Sequence, residues 1–248
     1  MTLPLDAVTF DFWDTLVCTS HGATRDARRR SLLAVLGEIG QDVPPERLDE
    51  IFEQAFAIYT EHWHANRAFT AHQGGQAVVD LLDLGLTTDQ DEAIVKAFVS
   101  GAAGQEHDLT GNIEETLVAL KERGLRLGII CDVGLTPSNV LRDYLAAHGV
   151  LDLFDHWSFS DEVGCYKPDR AIFDHALAGL GGIDPRRAAH VGDLRRTDIA
   201  GARAIGMTAV RYRGANDDPA GAGPDGETLP EGHHVIDDHT ELLAALDL

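Results

Sequence analysis

The sequence predicts an α/β protein: a mainly parallel sheet flanked by helices, interrupted after its first strand by an all-helical insertion. Three observations carry this expectation. An apolar, β-rich run (Val8, Thr9, Phe10) leads straight into Asp11. About 90 residues of helical texture then follow, with apolar positions at helical spacing. From residue 112 onward, helical and strand-like patterns alternate, as they do in chains that fold with helices on both faces of a parallel sheet.

The opening strand ends at a carboxylate, and the carboxyl end of a buried strand is where an open α/β sheet binds ligands. In the insertion, Leu32, Leu33, Leu36 and Ile39 mark a helix over 24–39, with Arg25, Arg28, Arg29 and Arg30 near its start. Pro44 and Pro45 open a second helix, since proline is tolerated in a first turn. Its aromatic residues Phe52, Phe56, Tyr59 and Trp63 share one face, a stripe that favours packing between helices over a ligand site. Helical patterns over 76–84 and 89–99 complete the insertion before Gly101 and Gly104 break it.

The alternation that follows reads as helix 113–123, strand 125–130, helix 137–148 and strand 156–159. It continues as helix 168–180, strand 188–191, helix 195–205 stopped by Gly206, and strand 208–212. Residues 214–232 are rich in Gly, Pro and Asp and read as a mobile surface loop, before a last helix over 241–246.

At 248 residues the chain can bury a sizeable core, and its 44% hydrophobic and 25% charged content is ordinary for a globular protein. The net charge of −21, from 41 acids against 20 bases, argues against nucleic acid or an anionic membrane as the main partner. A small anionic substrate would need a local cationic site to overcome that field. Cys18, Cys131 and Cys165 are odd in number and form no Cys-x-x-Cys pair, which favours free thiols in a reducing cytoplasm. The first residues carry no signal-peptide pattern, and no apolar run approaches the roughly 20 residues that span a bilayer. A cytoplasmic protein is expected.

Four landmarks carry chemistry. The first is Asp11-Phe12-Trp13-Asp14-Thr15 after the opening strand. The second is Cys131-Asp132 at the end of strand 125–130, and the third is Lys167, one of three lysines, in Gly-Cys-Tyr-Lys-Pro-Asp. The fourth is Gly192-Asp193 at the end of a strand, with Asp198 five residues on. Singly, these could be a turn acid, a packed thiol, a solvated lysine and a pair of helix caps. In this order and spacing they resemble the haloacid dehalogenase-like (HAD) hydrolase superfamily with a helical cap inserted after the first strand.

The resemblance implies a Rossmannoid core over 1–16 and 107–248 and a helical cap domain over 17–106. It makes Asp11 the nucleophile and Lys167 the cation that contacts both Asp11 and the substrate anion. Thr15, Cys131 and Asp132 fall at substrate-binding positions. It also implies Mg²⁺, a hard cation suited to oxygen ligands. Asp11, Asp193 and the main-chain carbonyl of Trp13 would supply inner ligands, with Asp198 acting through water or by orienting Asp193.

Two departures bear on activity. Phosphatases of this type carry a second Asp where this chain has Trp13, and that Asp protonates the leaving group and then activates water. Tryptophan does neither, and such acid–base help contributes roughly 10²–10⁴-fold. The next acid, Asp14, sits where relatives usually have Gly, so its side chain is expected to point away from the reacting centre. Cys131 replaces the usual Ser or Thr, and a thiol is the weaker donor. Three readings stay open. The first is a Mg²⁺-dependent phosphatase of a small phosphorylated metabolite, working through an aspartyl-phosphate and restricted by Trp13. The second is a 2-haloacid dehalogenase-type hydrolase, since dehalogenases of the superfamily have an aromatic residue at that position but typically lack the Asp193-type metal motif. The third is a non-catalytic binding protein that kept the fold. No lysine lies early in the insertion, which disfavours phosphonate hydrolysis through an imine.

Other signals fail on context. Residues 221–226 fit a dinucleotide-binding glycine pattern, yet no strand leads in and no helix follows. His62 with His64, and His233 with His234, read as solvated pairs. Arg25 and Arg29 lie one turn apart, where a solvated helix face is favoured over an anion site.

Overall fold

Strand β1 (Ala7–Phe10) lies inside a six-stranded sheet with β2 (Arg126–Cys131), β3 (His156–Phe159), β4 (Ala188–Gly192), β5 (Thr208–Tyr212) and β6 (His234–Ile236). The strand order is β3-β2-β1-β4-β5-β6, and every pairing is parallel. All residues of β1 and β4, and all of β2 but its first, are buried. This is why these strands read as nearly continuous apolar runs. The computed structural model describes residues 4–19, 21–218, 226 and 228–248. The glycine pattern at 221–226 and the middle of the 214–232 loop therefore fall largely outside the described residues.

The chain divides into two compact units. One holds the sheet and comprises Met1–Thr19, His107–Asp132 and Tyr144–Leu248. Helix α8 (Arg170–Gly179) and helix α9 (Ala200–Ile205) cover part of the sheet with Ile172, Phe173, Ala176, Leu177 and Ala202, packed on Ala7, Ile130, Ala188 and Ala209. The other unit takes Ser20–Glu106 together with Val133–Asp143. Its helices are α1 (His21–Glu38), α2 (Pro45–His64), α3 (Ala71–Leu82) and α4 (Thr88–Ser100). They enclose a core of Leu32, Leu36, Leu48, Ile51, Phe52, Val78, Ile94 and Phe98. Both α3 and α4 start on capping boxes, Thr70 with Gln73 and Thr87 with Gln90, which satisfy amides that a helix start leaves orphaned. The helices α5 (Ile113–Glu122), α6 (Ser138–Ala147) and α7 (Ser160–Val163) complete the connections up to α8.

One local expectation is corrected, and two short elements are added. The stretch 195–205 is not one helix but a π-helical turn, Arg195–Ile199, that leads into α9. The Asp198 carboxylate takes the Leu194 N–H at 3.0 Å, so a side chain satisfies an amide at the turn's entry. Strand β6 is three residues long and lies on the sheet edge, too short to register as a pattern. The last helix is a 3₁₀ turn, His239–Glu241, followed by α10 (Leu242–Ala245). The aromatic stripe of α2 also divides: Phe52 stacks on Phe98 in the core, whereas Phe56 is exposed. Among the described residues no helix is long and apolar enough to cross a membrane.

Candidate active site

The strand order reverses between β1 and β4, because the chain builds outward to β3 on one side and to β6 on the other. Such a switch point opens a crevice beyond the carboxyl ends of the strands. Asp11 emerges there from β1, its N–H donating to the Val191 carbonyl at 2.8 Å, and Asp193 emerges beside it from β4. Cys131 and Asp132 leave the neighbouring β2 at the same edge.

Lys167 enters this cluster from the loop before α8 and is 2% exposed. Its Nζ donates to Asp11 Oδ1 at 2.5 Å and to Asp198 Oδ1 at 2.6 Å. Its backbone N–H donates to Asp132 Oδ1 at 2.9 Å, so one oxygen of Asp132 holds the lysine main chain. Asp198 is fully buried and saturated: Oδ1 also meets His190 Nε2 at 3.1 Å, while Oδ2 accepts from Leu194 N and Thr197 Oγ1. Gly192 permits this, since a Cβ there would lie 2.4 Å from the Asp198 carboxyl carbon. Asp193 accepts from the Asn216 side-chain amide at 3.2 Å.

The electrostatics follow from burial. Carboxylate oxygens of Asp11, Asp193 and Asp198 lie within 4.8 Å of one another, with one ammonium among them. Three carboxylates against one lysine leave two negative charges, the charge that one divalent ion would balance. Burial pushes Asp11 up to about 7, against the pull of Lys167. Burial, with repulsion from Asp11 and Asp198, pushes Asp193 well above the usual carboxylate range. Burial also opposes ionisation of Asp198, but the Lys167 charge and the His190 hydrogen bond overcome it and hold Asp198 below the ordinary value. For Lys167 the neighbouring acids outweigh burial and keep the ammonium charged. The donor set is all carboxylate oxygen, which fits Mg²⁺.

The remaining expected residues are placed less directly. Trp13 is half-buried and packs edge-on against Phe12 and His107, near Tyr144. Asp14, with a left-handed φ of 53°, turns its carboxylate onto Thr19. Thr15 is fully buried; its hydroxyl has no hydrogen-bond partner among the described residues, and its carbonyl accepts from Thr110 and His239. Burial and the nearby Asp11 push the Cys131 thiol well above its ordinary value, so it is a thiol and no nucleophile. Arg25 and Arg29 pair with Asp49 and Glu53. His233 is not simply solvated, since its Nδ1 accepts from the Ala209 N–H at 3.0 Å. Sequence reading missed Asn216, His190 and His239. Only His190, two residues before the Gly-Asp landmark, left any signal there.

A family model described as haloacid dehalogenase-like hydrolase matches residues 5–206. Glyceraldehyde 3-phosphate phosphatase of Methanothermobacter thermautotrophicus is 32% identical over 211 residues, covering 83% of this chain and 84% of that protein. Haloacid dehalogenase-like hydrolase domain-containing protein 3 of Homo sapiens is 30% identical over 261 residues, covering 99% and 95%. The solved structure of a 2-haloacid dehalogenase from Pseudomonas syringae pv. Tomato DC3000 superposes with a TM-score of 0.66 at 25% identity, covering 98% of each chain.

Proposed function

The chain belongs to the haloacid dehalogenase-like hydrolase family, and from that premise we propose that it is a Mg²⁺-dependent phosphatase of a small phosphorylated metabolite. The carrying observation is the Lys167 ammonium shared by Asp11 and Asp198 beside Asp193, a charge arrangement that suits a phosphoryl group and one divalent ion. The relative named glyceraldehyde 3-phosphate phosphatase supports a phosphorylated substrate of low mass. We read the helical unit as the cap that selects the substrate.

In this reading an Asp11 oxygen attacks phosphorus, the Asp11–phosphorus bond forms, and the bond to the leaving oxygen breaks. Lys167 favours the ionised form of Asp11 and would face the phosphoryl oxygens. Asp11 and Asp193 would hold Mg²⁺ directly, with Asp198 acting indirectly because both its oxygens already accept hydrogen bonds. When bound, the ion supplies charge neutralisation at the phosphoryl oxygens. Water then displaces phosphate from Asp11 and restores the carboxylate. Trp13 offers no proton to the leaving oxygen, so substrates whose leaving group departs as a stable anion, such as acyl and aryl phosphates, are preferred.

Purified protein with Mg²⁺ should hydrolyse an aryl phosphate, and Asp11→Asn should abolish this. A second reading, hydrolysis of a carbon–halogen bond, draws on the aromatic Trp13 and the likeness to the Pseudomonas syringae enzyme. A departing halide needs no proton. Halide release from a 2-haloacid, unaffected by a chelator, would replace the phosphatase reading with this one.

A further inference from the structure

Behind the Lys167 cluster, the described contacts close a ring of hydrogen bonds that leaves β1 and returns to it. Thr9 lies on β1, and Asp11, two residues on, directly follows the last residue of that strand. Thr9 stands opposite His190 in the β1–β4 register, with its Oγ1 at 2.9 Å from His190 Nδ1. His190 Nε2 lies 3.1 Å from Asp198 Oδ1, the same oxygen that accepts from Lys167, and Lys167 closes the ring on Asp11. Thr9, His190 and Asp198 are each 0% exposed, and the Phe173 ring meets His190 edge-on with centroids 5.4 Å apart.

These three side chains are closed to bulk solvent, so proton placement is decided by the partners. Asp198 Oδ1 can only accept, which requires the hydrogen on Nε2. A neutral imidazole then has a bare Nδ1, and Thr9 Oγ1 is the hydroxyl that donates to it. The other acceptor near Thr9, the Ala189 carbonyl, is farther away at 3.2 Å. With the opposite tautomer, two lone pairs would face each other across the Nε2–Oδ1 contact inside the core, leaving buried polar atoms unpaired.

We propose that Thr9 and His190 are positioning residues for the reaction at Asp11: the Thr9 hydroxyl fixes His190 as the Nε2–H tautomer, and His190 fixes Asp198 so that Lys167 stays aimed at Asp11. The bearing on turnover rests on the hydrolase reading above; the tautomer and the anchoring of Lys167 do not. Neither residue touches substrate. Loss of such an outer partner typically costs 10–100-fold in activity, and here it falls on kcat, with KM changing by no more than about twofold.

The test uses ¹⁵N NMR on the metal-free protein with kinetics on an aryl phosphate. Wild type should show His190 as the Nε2–H tautomer and a slowly exchanging Lys167 ammonium. Thr9→Val, which keeps the shape and removes the hydroxyl, should shift His190 toward Nδ1–H, speed Lys167 proton exchange about tenfold and lower kcat about tenfold. His190→Leu should lose more, and His190→Gln, whose amide can donate to Asp198, should recover most of kcat. A wild-type His190 found as Nδ1–H or doubly protonated overturns the proposal. So does a Thr9→Val protein whose Lys167 exchange matches wild type. Should the wild type hydrolyse no phosphate, the function falls, while the His190 and Lys167 signals still decide this proposal.

Discussion

The Asp14 carboxylate is held by Thr19, accepting its backbone N–H at 2.9 Å and its hydroxyl at 2.5 Å. The acid beside Trp13 is therefore engaged within its own turn, and its left-handed backbone fits that role. Asp14→Asn, which keeps an acceptor oxygen, should leave kcat on an aryl phosphate within about threefold of wild type. Trp13→Asp should instead raise turnover of an alkyl phosphate by about 10² or more, because it restores a proton donor at the leaving oxygen. Parallel kinetics on aryl and alkyl substrates check both. A collapse of activity in Asp14→Asn would mean that Asp14 supplies the proton.

Removing the lysine tests the charge arrangement. In Lys167→Met, fully buried Asp198 keeps only neutral donors, and breaking a buried ion pair on one side typically costs 3–5 kcal/mol. Urea unfolding should show a loss of that order, and aryl phosphate turnover should disappear. Asp198→Asn combined with Lys167→Met should regain part of the stability, because no uncompensated charge then remains at either position.

Ion binding should release protons. Burial holds Asp11 up to about 7 and Asp193 high as well, so at pH 6 an arriving Mg²⁺ must displace protons from these two acids. Apparent Mg²⁺ affinity should therefore rise at least about tenfold per pH unit below pH 7, and less steeply once Asp11 is ionised. Calorimetry in two buffers of different ionisation enthalpy measures the proton count directly. Chelation should abolish phosphatase activity, and Mg²⁺ should restore it.

His239 makes the fold sensitive to acid. Its Nε2 meets the Thr15 carbonyl at 2.8 Å, the ring stacks on Tyr212, and Nδ1 has no hydrogen-bond partner among the described residues. Burial pushes the group from 6.5 down to about 4. Between those values the unfolded chain binds a proton that the folded chain refuses, so stability is full above pH 6.5 and falls as pH drops toward 4. The loss from this residue reaches about 3 kcal/mol. Urea midpoints at several pH values should show this slope in wild type and a shallower one in His239→Gln.

Much of the fold was legible in the residues themselves. β1, β2 and β4 announced themselves because central parallel strands are apolar on both faces, and α4 through its helical spacing, whereas the pattern over 76–84 caught only the later turns of α3. The strand β6 was hidden, since three residues at an edge carry no period. The π-helical turn was hidden too, because the bond at its entry, from the Leu194 N–H to the Asp198 carboxylate, is a single side-chain contact that no run of residue types marks. Within the site, Asp11, Lys167, Asp193 and Asp198 stood out through the resemblance of their landmarks to the family. The partners Thr9, His190 and Asn216 were not, since their meaning arises only when β1, β4 and the segment after β5 lie side by side.

Gly192 sets a different kind of limit. The Asp198 carboxyl group occupies the space where the smallest side chain would otherwise sit. Even a methyl group there would evict the acid and, with it, the grip on Lys167. Position 192 should therefore behave in a saturation library as an all-or-none allele, intolerant of alanine.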